Sequence, residues 1–375
     1  MLNQPDKLTD SRIPRAVVKV NDAIVVGWLE WEVDNNTFYQ ADTFRVKFAL
    51  SKMEAPYTAN WWMTQPSLFV EILVGFPKDP NNYSASELTS WIYGQVDDVT
   101  LDPVSRTIEV SGRDLTAQMI DTKTTEKWQN LTSSQIAAKI AAAHNLTPVV
   151  TATSIKAGKY YEIDHARMTD QRSEWDLLTA LAHEEGFVVF VRGKSLYFQP
   201  KPDPNSAPYL LHWQEPEEAG QPPKFNGTSL LFARNLTLAK DVIVQVRSWN
   251  VKNKKGYTKT AQATHNKNTV LAGAAQPVGE AQVYSYTIPN LTPEQALKKA
   301  QAILKEITAH EVRVDVEMPA DNILDVTTIL QVIGTETALD QIYYPDSIKR
   351  KMNEDEGYTM TVLAKNHSPE TVTGL

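Results

Sequence analysis

The chain has 375 residues, 42% hydrophobic and 22% charged, with no cysteine. That composition suits two or three folded domains and excludes a largely disordered or fibrous protein, as well as disulfides, thiolate catalysis and cysteine-ligated metal centres. The net charge of −8 argues against general nucleic-acid binding, no apolar run reaches the length of a membrane span, and Met1–Lys7 lacks the apolar core of a secretory leader.

The first stretch reads as β-structure. Ala16–Val20 and Ile24–Leu29 are rich in β-branched residues and are split by the turn pair Asn21-Asp22. Phe44, Val46 and Phe48 alternate with Arg45 and Lys47, a half-buried strand, and Phe69–Phe76 is a nearly continuous apolar strand. Ser90–Val99 and Arg106–Ser111 flank Asp102-Pro103-Val104-Ser105 as two further strands. Short strands at this spacing fit a small barrel or sandwich.

A change of period follows. Leu131-Thr132-Ser133-Ser134-Gln135-Ile136 predicts a helix start, with Thr132 as cap, Gln135 as its box partner and Leu131 stapled to Ile136. Ile136, Ile140 and Ala143 form its expected face and Asn145 its stop. A second helix is expected from Ser173 and Asp176, with Trp175, Leu178, Leu181 and Ala182 inward. Phe187–Val191 and Ser195–Phe198, joined by Gly193-Lys194, predict a hairpin. Gln199–Pro223 carries seven of the 21 prolines, and is expected to be an extended linker outside any core. Strands resume at Leu230–Phe232 and Asp241–Val251, and the basic stretch Asn250–Lys259 is expected to be a solvated loop. Leu291-Thr292-Pro293-Glu294-Gln295-Ala296 combines a staple, a cap, proline at the first helical position and a box partner. Ala296, Ala300, Ile303, Leu304 and Ile307 form that helix's stripe, and strands follow at Val312–Met318, Thr328–Ile333 and Tyr358–Leu363. Two echoes, Asn130-Leu131-Thr132 with Asn290-Leu291-Thr292, and Ile92-Tyr93 with Ile342-Tyr343 ahead of their partner strands, favour two related β-domains.

Catalytic signatures are missing. There is no G-x-S-x-G elbow and no H-E-x-x-H; Ala182-His183-Glu184-Glu185-Gly186 lacks the second histidine. Gly193-Lys194-Ser195 has Val188 where a phosphate loop needs glycine, and it joins two strands. Asp97 and Asp98 are adjacent on a strand, so they are expected on opposite faces, unable to share one bond. Glu184-Glu185 reads as solvated, Asp164-His165 has no third ligand at a telling spacing, and the seven histidines are scattered. Arg247-Ser248-Trp249-Asn250 and Lys252–Tyr257 interleave basic and aromatic residues on which bases could stack. No catalytic, cofactor-binding or metal-ligating residue is therefore singled out, no cofactor is expected, and interface residues stay unassigned.

Ser111-Gly112-Arg113-Asp114-Leu115-Thr116-Ala117 with Met119-Ile120-Asp121 resembles a stretch of the phage Mu-type baseplate hub family (tail protein P). Gln171–Leu178 with Leu181-Ala182 and Glu185-Gly186, Asp241-Val242 with Val246–Asn250, Pro293–Ala296 and Gly357–Met360 are similar to later segments of such hubs, in the same order. The resemblance implies an α+β, mostly β fold. Its expected parts are two small β-barrel tube domains, at 1–118 and at 206–250 with 311–375, an intervening α+β domain at 119–205, and a helical insertion at 251–310. It also implies a non-enzymatic virion part, assembled in the bacterial host cytoplasm. This would be a homotrimer joining the sixfold tail tube, or a tube-capping protein, to a trimeric membrane-piercing spike. DNA would pass through the lumen without sequence recognition, an acidic lumen repelling phosphate, and no stable membrane insertion is expected. The related late-control D proteins and the type VI secretion spike share this plan, and a type VI spike-type hub is the first alternative. A peptidoglycan-cleaving tail enzyme would need a carboxylate pair on one concave face. A sugar-binding module would draw on the nine tryptophans, such as Trp61-Trp62 and Trp213.

Overall fold

The computed structural model describes residues 2–3, 13–123, 128, 131–154, 173–201, 203, 206–218, 220–234, 242–250, 255–262, 282–288, 291–308 and 312–366. The expectations for Asp164-His165, and for His265, His310 and His367, fall outside them.

The chain begins with β1 (Arg15–Val20) and β2 (Ala23–Ile24). They turn on Asn21 and Asp22, at φ of 48° and 66°, the positive-φ pair that a two-residue hairpin needs. The strand expected over 24–29 is broken at Gly27, which sits at φ 89° with no room for a Cβ beside Lys52. Next come β3 (Trp28–Asn36), β4 (Thr43–Ala49), the short helix α1 (Ala59–Thr64), β5 (Phe69–Gly75), β6 (Thr89–Asp102) and β7 (Thr107–Asp114). They pair in the order β3-β4-β7-β6-β5-β1-β2. Alternation puts Phe44, Val46 and Phe48 inside with Trp31, Val33, Ile108 and Val110, as the sequence pattern predicts.

A layer of α2 (Thr116–Asp121), α3 (Ser133–Ala143), β8 (Thr147–Val150), α4 (Glu174–Glu185), β9 (Phe187–Arg192) and β10 (Ser195–Pro200) follows. The expected capping box of Thr132 with Gln135 forms, and the helix expected from Ser173 starts there with a box of its own, closed by Asp176. Asn145 takes φ 56° at the stop, but Ala143 is exposed and Ala137 and Ala141 fill the face instead. The hairpin turns at Gly193 (φ 56°), and β8 lies parallel to β10 on its far side. Ile136, Ile140, Trp175, Leu178, Leu181, Val189, Leu196 and Phe198 make this layer's own core.

The remaining elements are β11 (Tyr209–Gln214), β12 (Lys224–Phe225), β13 (Ser229–Arg234), β14 (Val242–Asn250), β15 (Lys255–Gln262), β16 (Gln282–Thr287), α5 (Pro293–Thr308), β17 (Val312–Pro319), β18 (Leu330–Ile333), β19 (Ile342–Asn353) and β20 (Gly357–Lys365). Two expectations fail here. The proline-rich stretch is not all linker: Tyr209, Leu210 and Leu211 are buried in β11, which pairs parallel with β18. The prolines merely bound a strand short enough to fit between Pro208 and Pro216. The basic stretch is not all loop either, because Lys255–Lys259 belong to β15, paired along β14. The sheet β15-β14-β16 carries α5 on one face, where Val244, Val246 and Ala261 meet Ala296, Ala300 and Leu304.

The protein is thus mostly β, of α+β type, built on one large mixed sheet. Separate closed barrels are not seen among the described residues, because the strand path stays open and runs from one half into the other. The seam is β3 against β19, from Asn36↔Ser347 to Glu30↔Asn353. Residues of both halves share one core, in which Trp31, Val33 and Phe44 belong to the same cluster as Val314, Ile348 and Met360. At roughly 1.5–3 kcal/mol for each large side chain buried, this shared core couples the two halves energetically.

Candidate functional site

Three strands carry a polar residue in their inward apolar stripes, and the three residues converge. In β3, Trp31 and Val33 are followed by Asn35; in β7, Ile108 and Val110 by Gly112 and Asp114; in β19, Ile348 by Arg350. All three polar residues are buried. Arg350 lies with its guanidinium 3.6 Å from the centre of the Trp91 ring, a cation–π contact in a dry setting. Its Nη1 donates to Asn35 Oδ1 at 3.0 Å and its Nη2 to the carbonyl of Leu324. Burial pulls this guanidinium below its ordinary pKa. Asn35 passes the chain of hydrogen bonds on, its Nδ2 donating to Asp42 Oδ2 at 2.8 Å, while Asp42 Oδ1 accepts from the Asn36 N–H at 2.8 Å. Asp114 accepts from the backbone and hydroxyl of Thr116 at 3.1 and 3.0 Å, and its own N–H donates to the carbonyl of Asp42 at 2.9 Å.

Asp42 is half-buried as a residue, but its carboxylate is enclosed, and burial pushes its pKa up to about 7 against the two hydrogen bonds that lower it. Asp114 is pushed well above the carboxylate range, by burial first and then by the neighbouring Asp42 charge.

The loop Ala320–Thr328 binds the other parts to this centre. Asn322 Nδ2 donates to the Val74 carbonyl at 2.8 Å and to Thr89 Oγ1 at 3.1 Å, and Trp91 Nε1 donates to Asn322 Oδ1 at 3.3 Å. Asp325 accepts from Arg192 Nη2 at 2.7 and 2.6 Å, so the end of β9 is held down. Tyr39 holds the same layer from the first half: its hydroxyl donates to the Phe187 carbonyl at 2.7 Å, its carbonyl accepts from Trp175 Nε1 at 3.0 Å, and its ring stacks on His183 at 4.3 Å. The space enclosed by Asn35, Asp42, Trp91, Asp114, Arg192 and Arg350 is about 10 Å³, enough for roughly one water and too small for an organic substrate. The arrangement is a three-way structural joint.

The residues weighed in the sequence resolve as follows. Asp97 sits at a bulge in β6, takes a two-pronged bond from Arg113 (2.7 and 3.0 Å), and shares that arginine with Asp121 at 3.3 Å. Lys194 turns the hairpin and lies 4.5 Å from the centre of the Tyr93 ring. Glu184 is exposed, whereas Glu185 is partly buried and accepts from Ser133 at 2.7 Å. His144, at the end of α3, pairs with Glu174 at 2.5 Å. Arg247 and Trp249 do share an outward face of β14, with Ser248 turned in to accept the Leu291 N–H at 3.0 Å. Among the described residues no group of three His, Asp or Glu is placed to hold a metal ion, and no helix is long and apolar enough to cross a membrane.

No protein-family model and no curated protein sequence matches this chain. Solved structures do. A tail protein from Neisseria meningitidis superposes with a TM-score of 0.68 at 14% identity, over 94% of this chain and 97% of that one. The 43 kDa tail protein of prophage MuSo2 from Shewanella oneidensis gives 0.63 at 14% identity, over 94% and 98%. A component of the E. coli type VI secretion system, described as similar in structure to the T4 tail proteins gp27 and gp5, gives 0.52 at 11% identity, over 96% and 79%. Over nearly its whole length, the chain has the fold of phage tail proteins and of a type VI secretion component.

Proposed function

We propose that this protein is the structural baseplate hub of a contractile phage or prophage tail. It would be a homotrimer that joins the sixfold tail tube, or a tube-capping protein, to a threefold membrane-piercing spike. The observation that carries the reading is the near full-length match to tail proteins of almost the same size. The seam β3–β19 supports it, because two β-halves fused into one sheet per chain let three chains offer six similar β-units. A closed threefold ring uses heterologous contacts and covers open strand edges such as that of β13.

In this reading the β-halves (1–118, and 206–234 with 312–375) form the tube-side ring. The α+β part at 119–205 and the segment 242–308, whose β14, β15, β16 and α5 pack apart from the large sheet, break the sixfold likeness and face the spike. The net charge of −8 suits a lumen through which DNA passes without adhering. The role is non-enzymatic, supported by matches to structural tail proteins, and the location is the virion. The match to a type VI component supports the alternative of a type VI spike-type hub. The test is co-purification. Because β14, β15, β16 and α5 pack as one unit, a deletion must remove 242–308 together. That variant is expected to form the trimer and lose its spike; loss of the trimer with spike binding intact contradicts the assignment of faces.

A further inference from the structure

The joint encloses more charge than a mechanical contact needs. The titratable groups facing Asp42 are Asp114 from β7, Arg192 from β9, Asp325 from the loop Ala320–Thr328 and Arg350 from β19; β3 and β6 contribute only Asn35, Asn36 and Trp91. Three carboxylates therefore face two guanidinium groups. The cations are committed elsewhere: Arg192 donates to Asp325, and Arg350 donates to Asn35 and to the Leu324 carbonyl. Among the described residues, neither Asp42 nor Asp114 accepts a hydrogen bond from a cation. The small space beside these two acids is lined on one side by Phe190, Val191 and Arg192 of one hairpin. That hairpin is tied to the large sheet by the ion pair at Asp325, by Lys194 over the Tyr93 ring, by Phe190 against Phe38 and by contacts to Tyr39.

We propose that the β9–β10 hairpin is a proton-dependent clamp: closing it over the Asp42–Asp114 pair takes up one proton from solvent onto a carboxylate oxygen, and lifting it returns that proton. The closed site carries one excess negative charge when every group is ionised, and one bound proton cancels it. An opened hairpin exposes both acids to water, where each ionises as an ordinary carboxylate.

The sign of the pH effect follows by linkage. Above the ordinary carboxylate pKa, about 4, the closed form holds one proton more than the open form for as long as the pair keeps it, because Asp42, at about 7, and Asp114 are both raised. Closure is therefore strongest at the acid end and weakens by up to tenfold per pH unit until the pair has lost that proton.

Hydrogen exchange on the full-length protein tests this, with rates corrected for intrinsic chemistry and read on peptides from 187–200. Peptides from β20 serve as the control. Protection of the hairpin is expected to fall up to tenfold per unit from pH 5 to 7, while β20 does not follow. Asp42→Asn is expected to abolish that slope, and Asp114→Asn is the second variant should the first fail to fold. A hairpin profile that is flat in the wild type, or a slope that survives unchanged in the folded variants, overturns the proposal.

Discussion

Arg350 shows how a single side chain can join two halves of a sequence. It reaches Asn35, 315 positions away, and its guanidinium covers Trp91. Truncation leaves Asn35 and the Leu324 carbonyl without their donor inside a packed core, so Arg350→Ala is expected to cost about 3 kcal/mol in denaturant unfolding. An unchanged midpoint would mean the joint does not hold the halves together. Gly112 is a second test. A Cβ there would lie 2.0 Å from the Gln95 carbonyl oxygen, so Gly112→Ala must push β6 and β7 apart and is expected to reduce the yield of folded protein sharply. Lys194→Ala removes only an exposed turn residue over Tyr93 and is expected to cost no more than about 1 kcal/mol, leaving assembly intact. The joint was partly legible: Ile348, Arg350 and Met352 alternate with Lys349 and Lys351, which puts a charge on an apolar face. That such a charge meets Asn35, Asp42 and Asp114 depends on long-range pairing, which no local pattern encodes.

Helices and hairpins were read well where their signals are local. The caps at Thr132, Ser173 and Thr292 act within one turn, and all three form. Thr292→Ala is expected to destabilise α5 and the sheet under it by about 1 kcal/mol. Faster hydrogen exchange in 293–304 would register this, and unchanged exchange would mean that the helix starts without that cap. Elements whose partner is distant were misread. Tyr209-Leu210-Leu211 lies among prolines and acids, and only its parallel pairing with β18 makes it a core strand. Lys255–Lys259 looks like a solvated loop because its outward residues are polar, yet β14 supplies a full ladder of backbone bonds. In both places composition described the surroundings of the strand and missed the strand itself.

For the whole molecule, the echo between Ile92-Tyr93 and Ile342-Tyr343 is one of position and not of packing, since Ile92 is the buried member of the first pair and Tyr343 of the second. Each pair sits in the first strand of a long hairpin, β6–β7 and β19–β20. What the echo could not convey is that the halves merge, since the seam lies between β3 and β19 and neither hairpin contains both. A single sheet with a shared core joins the two halves of the chain into one body. The hub reading rests on the near full-length match to tail proteins, and its most direct test is native mass spectrometry of the purified protein at tens of micromolar. The account predicts a species of three times the 42.0 kDa chain mass; a stable monomer or a hexamer at that concentration would contradict it.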